Sequence, residues 1–331
     1  MKVRFHTDTI KPMLGWLMNY KRYGTRDEAE LRRIFTMPDY QVEFARYGLK
    51  ELPVCGISIE EAVDFFMHFD KKDFDNPRLQ NKKDTFLSFF NELEERIAGI
   101  EMFTSISESD LEIIDQLLQN GLPDAVLKDI DELDIILIVS IGNSMGWPYA
   151  HYIDYDIAGL NQFDSYEDFV HVTAHEIHHI LLGGLLGADG IRSEDFFLQN
   201  FAFEGLAVHF NNNQDTLMKP RKYDGPIYGM QKADMDFYSE HFDEIFQMIK
   251  ADYEEAKSIP LEEIADLVTD HYEKFTFLGR PIKQYPTYYF GCYMWGLVDL
   301  RFGKEKLFEA IADPPLFVKL YNMAAEEQYR L

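Results

Sequence analysis

The chain has 331 residues, with 58 acidic against 32 basic side chains, a formal net charge of −26 at pH 7, and 46% hydrophobic and 15% aromatic content. With 27 Phe, 19 Tyr and 3 Trp there is enough apolar area to offset the ordering cost of folding, which excludes a disordered chain. A surface this negative repels phosphate backbones and anionic lipid, so nucleic-acid and membrane-surface roles are excluded unless a basic patch overrides the total. The densest basic stretch, Lys21, Arg22, Arg26, Arg32 and Arg33, is diluted by Asp27, Glu28 and Glu30 and reads as a solvated helix face. Cys55 and Cys292 are too few and too far apart for a disulfide scaffold or a thiolate metal knuckle, which points to a reduced compartment. No apolar region follows the charges of the first residues, and the apolar runs Ile135 to Val139 and Ile180 to Ala188 fall far short of the ~20 residues that span a bilayer. The expectation is a soluble, cytoplasmic protein.

From the N-terminus to about residue 130 the pattern is helical and acidic. Apolar residues recur at three- and four-residue spacing in 59–66, 85–97 and 111–118, one stripe per helix, with Ser107 and Asp110 at capping positions. Ile135-Ile136-Leu137-Ile138-Val139, closed by Gly142, Asn143 and Gly146, predicts a short buried strand. His151 to Ile157 alternates Tyr152, Asp154 and Asp156 with Ile153, Tyr155 and Ile157, which predicts an exposed edge strand. Asp164 and Ser165 offer caps for a helix running to Gly183-Gly184. A glycine-bearing connection over 187–190 leads to Ser193, the cap of a second helix over about 194–210, ending near Asn211-Asn212-Asn213. Beyond Pro220, helices are predicted over 234–257, 261–275, 288–301 and 316–327. There is no internal repeat or flexible Gly/Ser linker. The expected fold is α+β and predominantly helical. It comprises a helical region over 1–130, a core over 131–215 with both strands and both central helices, and a C-terminal helical lobe over 216–331, together one compact two-lobed unit.

The first central helix carries His175-Glu176-Ile177-His178-His179, which contains the spacing H-E-x-x-H. Residues four apart project from one helix face, so His175 and His179 can hold one zinc ion while Glu176, about 100° round the axis, reaches a water beside it. His171 and His175 are also four apart. Only the His175/His179 pair puts a Glu directly after its first member, which leaves His171 and His178 as cleft-wall or structural residues. Packing alone does not require this cluster, because Ala174, Ile177, Ile180 and Leu181 already supply an apolar face. Glu204 on the second helix sits beside Phe201, Phe203, Leu206 and Ala207, where a carboxylate wants a cation. It is the natural third ligand, and two imidazoles with one carboxylate leave a fourth position open, as catalytic zinc sites do. His209, five positions after Glu204, falls about 140° away and faces elsewhere.

An H-E-x-x-H helix, a connection, and a helix bearing Glu204-Gly205-Leu206-Ala207 together resemble the gluzincin branch of the zinc metallopeptidases over about residues 135–210. Over its whole length, including 288–291 and Asp313-Pro314 to Tyr321, the chain is similar to uncharacterised bacterial predicted zinc peptidases. The resemblance implies a zincin-like fold with a small sheet beside the metal-binding helix, Zn2+ as cofactor, His175, His179 and Glu204 as its ligands, and Glu176 as general base. Thermolysin-like members carry an Asp four residues after the ligand Glu. Val208 stands there in this chain, so other residues must orient the ligands. Related enzymes take an oxyanion donor from the C-terminal lobe, for which Tyr288, Tyr289, Tyr293 and His271 are candidates, with Tyr288 and Tyr289 foremost.

The activity implied is peptide-bond hydrolysis by metal-activated water, with Glu176 passing the proton to the leaving amine and a peptide or protein as substrate. A negative cleft favours basic or amine-bearing peptides, and an edge strand over 151–157 could pair with an extended substrate backbone. Two other classes stay open: a zinc hydrolase acting on a non-peptide amide or ester, and a catalytically silent binding or regulatory protein that keeps the zinc site. Glu176 argues against the second, because turnover needs that residue and zinc binding does not.

Overall fold

The protein is described by a computed structural model over residues 2–48, 56–103, 107–128, 132–142, 145–149, 151–162, 165–183, 185–186, 191–212, 228–266, 275–282 and 285–331. The chain divides into two compact units, Met1–Leu111 with Asp131–Tyr166, and Glu112–Ile130 with Glu167–Leu331.

The first unit holds helices α1 (Ile10–Tyr23), α2 (Glu28–Phe35), α3 (Pro38–Tyr47), α4 (Ile59–His68), α5 (Pro77–Asn91) and α6 (Leu93–Phe103). Their starts are chemically marked. Ser58 and Glu61 close a reciprocal capping box on α4, and Asn76 caps α5 just before Pro77. The apolar stripes meet in an aromatic core, with Phe86 packed edge-on against Phe66 at 5.2 Å and Phe69 at 4.9 Å between ring centroids. The single stripe predicted over 85–97 is two helices, because the backbone leaves helical geometry at Glu92 (φ −99°, ψ 6°).

The sheet of this unit has four strands, β1 (Lys2–His6), β2 (Glu132–Ile138), β3 (Met145–Tyr149) and β4 (Tyr152–Asp156), in the order β1-β2-β4-β3. β1, β2 and β4 run parallel, and β3 folds back antiparallel on β4. Ile135 to Ile138 are buried, as the β-branched run predicts for a strand covered on both faces. β1 has no counterpart among the predicted elements. Its five residues alternate polar and apolar too briefly to stand out, and Arg4 joins it to β2 through a two-point bond to Asp134 at 2.7 and 3.0 Å.

The predicted edge strand over 151–157 is corrected. β4 pairs with β2 on one side and β3 on the other, so it has no free edge to offer a substrate backbone. Its acidic residues do not face water either, since Asp154 is fully buried and Asp156 nearly so. Asp156 is held by Lys82 of α5, whose Nζ lies 2.9 Å from Oδ2, and by the N–H groups of Ser140 and Ala158. Burial, then the charges of Glu43 and Asp156, push the Asp154 carboxyl well above the ordinary carboxylate range. Polar and apolar alternation thus reports a solvated face only when no buried cation waits beneath it.

Past residue 111 the second unit contains the rest of α7 (Glu108–Gly121), α8 (Asp124–Leu127), α9 (Tyr166–Gly183) and α10 (Ser193–Ala207). It continues with α11 (Lys232–Glu240), α12 (Phe242–Ala256), α13 (Leu261–Asp266), α14 (Pro286–Phe302), α15 (Lys304–Ile311) and α16 (Pro314–Ala324). α10 passes directly into a single π-helical turn, Val208–Asn212. The helix predicted over 234–257 is broken at His241 (φ −110°, ψ 26°) into α11 and α12. The one predicted over 261–275 is helical to Asp266, and 267–274 lie outside the described residues. So do the 187–190 connection, Cys55 and His271, while Cys292 is buried and free.

α10 and α14 cross with their backbones in contact. A Cβ on Gly205 would stand 2.2 Å from the carbonyl carbon of Gly291, and one on Gly291 would stand 2.2 Å from the carbonyl oxygen of Phe201. Only two glycines permit this approach. Overpacking a core costs about 1–3 kcal/mol, and backbone cannot yield as a side chain does, so Gly205→Ala is expected to lose about 3 kcal/mol. The loss is read as a lower urea midpoint at unchanged m value. Among the described residues no helix is long and apolar enough to cross a membrane.

Candidate metal centre

The site is built on α9 and α10 of the second unit. Glu167 and Asp168 in the first turn of α9 suit its helix dipole, and Phe169, Ala174, Ile177, Leu181 and Leu182 anchor it in the core. That burial carries three histidines inward: His175, His178 and His179 are each 5% exposed or less. Glu204, near the C-terminal end of α10, meets two of them. Its Oε2 stands 3.3 Å from Nε2 of His175 and 3.3 Å from Nε2 of His179. Among the described residues these three form the one cluster of potential metal-ligating side chains, with ligand atoms all within 4.8 Å of one another.

The spacing tests whether a metal fits. A charge-assisted N–H to O bond closes to about 2.7–2.9 Å. Ligands at about 2.0–2.1 Å around a tetrahedral zinc ion stand roughly 3.3–3.4 Å apart, which is the separation of Glu204 Oε2 from each imidazole Nε2. The donor set, two imidazoles and one carboxylate, is one that borderline-soft Zn2+ takes in open, reactive sites. His175, His179 and Glu204 could therefore hold such an ion.

Electrostatics agree with a site made for a cation. Burial raises the Glu176 carboxyl to about 8, with Glu204 adding to the rise and His175 opposing it. Glu204, although desolvated, is held far below the ordinary carboxylate range by His179 and His175. Desolvation pulls His179 down, with Glu204 opposing, while the same carboxylate outweighs desolvation at His175 and raises it.

Ring orientation is set from outside. His175 Nδ1 lies 2.7 Å from Oδ1 of Asn212, and the Asn212 amide nitrogen donates to the carbonyl of Tyr228. The amide is thereby fixed with its oxygen toward the imidazole. His179 instead lies flat on Phe203, with centroids 4.0 Å apart and planes 5° from parallel.

The other predicted residues separate. Tyr288 stacks over His175 at 5.9 Å and 7°, and burial together with the charges of Glu204 and Glu176 pushes its phenol well above the ordinary value. It is brought there by the glycine crossing, one helical turn before Gly291. Tyr289 points into an aromatic core with Tyr238, Phe242 and Phe290, and Tyr293 packs against Phe242 and Phe246. His171 Nδ1 contacts the Asn211 carbonyl at 2.5 Å, and its ring stacks on Tyr228. His178 Nε2 contacts the Gly121 carbonyl at 3.3 Å, and burial drives its pKa down to about 3, leaving it neutral. His209 turns away to Asp299 at 2.9 Å. Sequence reasoning missed Asn212, because a π-helical turn has no motif. The only trace was the run Asn211-Asn212-Asn213 where a helix was expected to end.

A histidine pair four apart on one helix and a carboxylate from a second, converging beside the half-buried Glu176, is a donor set that a catalytic metal ion could take. The chain belongs to a protein family described as "Putative zinc dependent peptidase (DUF5700)", whose profile matches residues 31–329. No curated protein and no solved structure matches it.

Proposed function

We propose that this protein is a gluzincin-type zinc peptidase, with a zincin-like two-lobed fold, in which His175, His179 and Glu204 hold the ion. The observation that carries the reading is the 3.3 Å approach of Glu204 Oε2 to both imidazole Nε2 atoms, next to a Glu176 that takes no part in the cluster. Bound there, zinc would supply a Lewis acid that polarises a peptide carbonyl and lowers the pKa of water. Glu176 takes the proton from the attacking water and returns it to the leaving amine, two tasks that require a carboxyl titrating near the working pH. Its elevation to about 8 by burial is moderated by any cation beside it, which brings it toward that range. Tyr288 donates its phenolic hydrogen to the oxyanion, in a pocket where burial and neighbouring carboxylates keep it protonated.

A peptide library incubated with the zinc-loaded protein, with and without chelator, tests the reading. Chelator-sensitive cleavage is expected, and a zinc-loaded chain inert toward every peptide would overturn it. Within that assay Tyr288→Phe is expected to lower kcat about 10²-fold at unchanged zinc content, the usual cost of one oxyanion donor. Tyr289→Phe, altered inside the aromatic core, is expected to leave kcat near wild type.

A further inference from the structure

Three of the four histidines of α9 contact consecutive residues of one short segment. His178 stacks on Phe210, His171 meets the carbonyl of Asn211, and His175 meets the side chain of Asn212. That segment is the π-helical turn Val208–Asn212, into which α10 passes without a break. Continued as an α-helix, α10 would carry residue 212 roughly 80° round from Glu204. The wider i→i+5 turn rotates less per residue and brings Asn212 back toward the face of Glu204. Asn212 is buried to 2% exposure, and both ends of its amide are committed, Nδ2 to the Tyr228 carbonyl and Oδ1 to His175. Tyr228 is itself fixed, through its hydroxyl to Glu167 at 2.9 Å and its ring on His171 at 3.8 Å. An amide oxygen accepts only, so the imidazole carries a hydrogen on Nδ1, which leaves Nε2 as the atom that would face an ion beside Glu204.

We infer that the π-helical turn exists to orient the metal centre, and that Asn212 is the positioning residue that holds His175 with Nδ1 protonated and Nε2 turned to the ion. The turn takes the place of the Asp that Val208 lacks: a support delivered eight residues after Glu204 instead of four, made possible by the change of helical pitch. The inference rests on the zinc-site reading above. Partners of this kind fix the tautomer and raise ligand basicity, and losing one weakens metal affinity by about 10–100-fold.

The test is zinc affinity, by competition with a chromophoric chelator, for wild type, Asn212→Leu and Asn212→Asp. Asn212→Leu keeps the size and removes the acceptor, and is expected to bind zinc about 10–100-fold more weakly. Asn212→Asp keeps an acceptor for the Nδ1 hydrogen while losing the donation to Tyr228, and is expected to recover most of that affinity. Equal zinc affinity in Asn212→Leu and wild type would overturn the inference, as would equal losses in both variants, which mark a packing role alone. Should either variant fold poorly, NMR of histidine-labelled, zinc-loaded wild type decides: a slowly exchanging Nδ1 hydrogen on His175 is expected, and its absence overturns the inference. A wild type that binds no zinc fails the underlying reading instead, and is told apart from the rest by that first measurement.

Discussion

Glu176→Gln is expected to bind zinc as wild type does and to hydrolyse peptides about 10³-fold more slowly, within the range that a positioned general acid–base contributes. Glutamine fills the same volume, and Glu176 lies outside the cluster formed by His175, His179 and Glu204, so neither the fold nor the metal donors change. What disappears is the carboxyl beside that cluster which burial raises above the ordinary carboxylate range. The loss should fall on kcat, with KM little changed, because the proton transfers belong to the transition state. Activity surviving at more than about a tenth of wild type would assign the base elsewhere.

Removing a ligand acts on stability as well as on chemistry. His179→Ala and Glu204→Ala are expected to lose zinc by more than the roughly 100-fold that an outer support costs. In wild type, a ligand bound only by the folded state stabilises it by about 4 kcal/mol when present at a thousandfold its Kd. Chelator should therefore lower the thermal midpoint of wild type and leave those of the two variants unmoved. The physical reason is local. Glu204 Oε2 is buried with no hydrogen-bond partner among the described residues, 3.3 Å from the Nε2 atoms of two imidazoles. A carboxylate buried between two imidazoles is stabilised further when a cation joins them. A chelator-insensitive midpoint in wild type would contradict the account.

Much of the candidate site was legible in the chain because helical spacing is local. His175 and His179 share a face at i, i+4, and Glu204 stands out as an acid among Phe201, Phe203 and Leu206, so their convergence needed only that two helices pack. The choice between Tyr288 and Tyr289 was not legible. It depends on the rotation of α14, which the Gly205–Gly291 crossing sets through a contact far apart in sequence. Asn212 was hidden for a related reason, since a change from α to π pitch alters which face a residue occupies without altering any motif. In the fold, the Ile135–Ile138 run announced its strand through composition alone. Asp156 of β4 misled because its cation, Lys82, comes from a helix distant in sequence, and β1 was invisible because its partner β2 lies more than a hundred residues away. Local periodicity is readable from one sequence, whereas pairing, rotation and pitch are decided by tertiary contacts.

Whether three side chains hold one zinc ion is tested directly by the zinc content of the purified chain after equilibration with excess metal and desalting. About one equivalent per chain is expected for wild type and for Glu176→Gln, and less than about a tenth for His179→Ala and Glu204→Ala. A folded wild type without zinc, or zinc retained undiminished in both ligand variants, would contradict it.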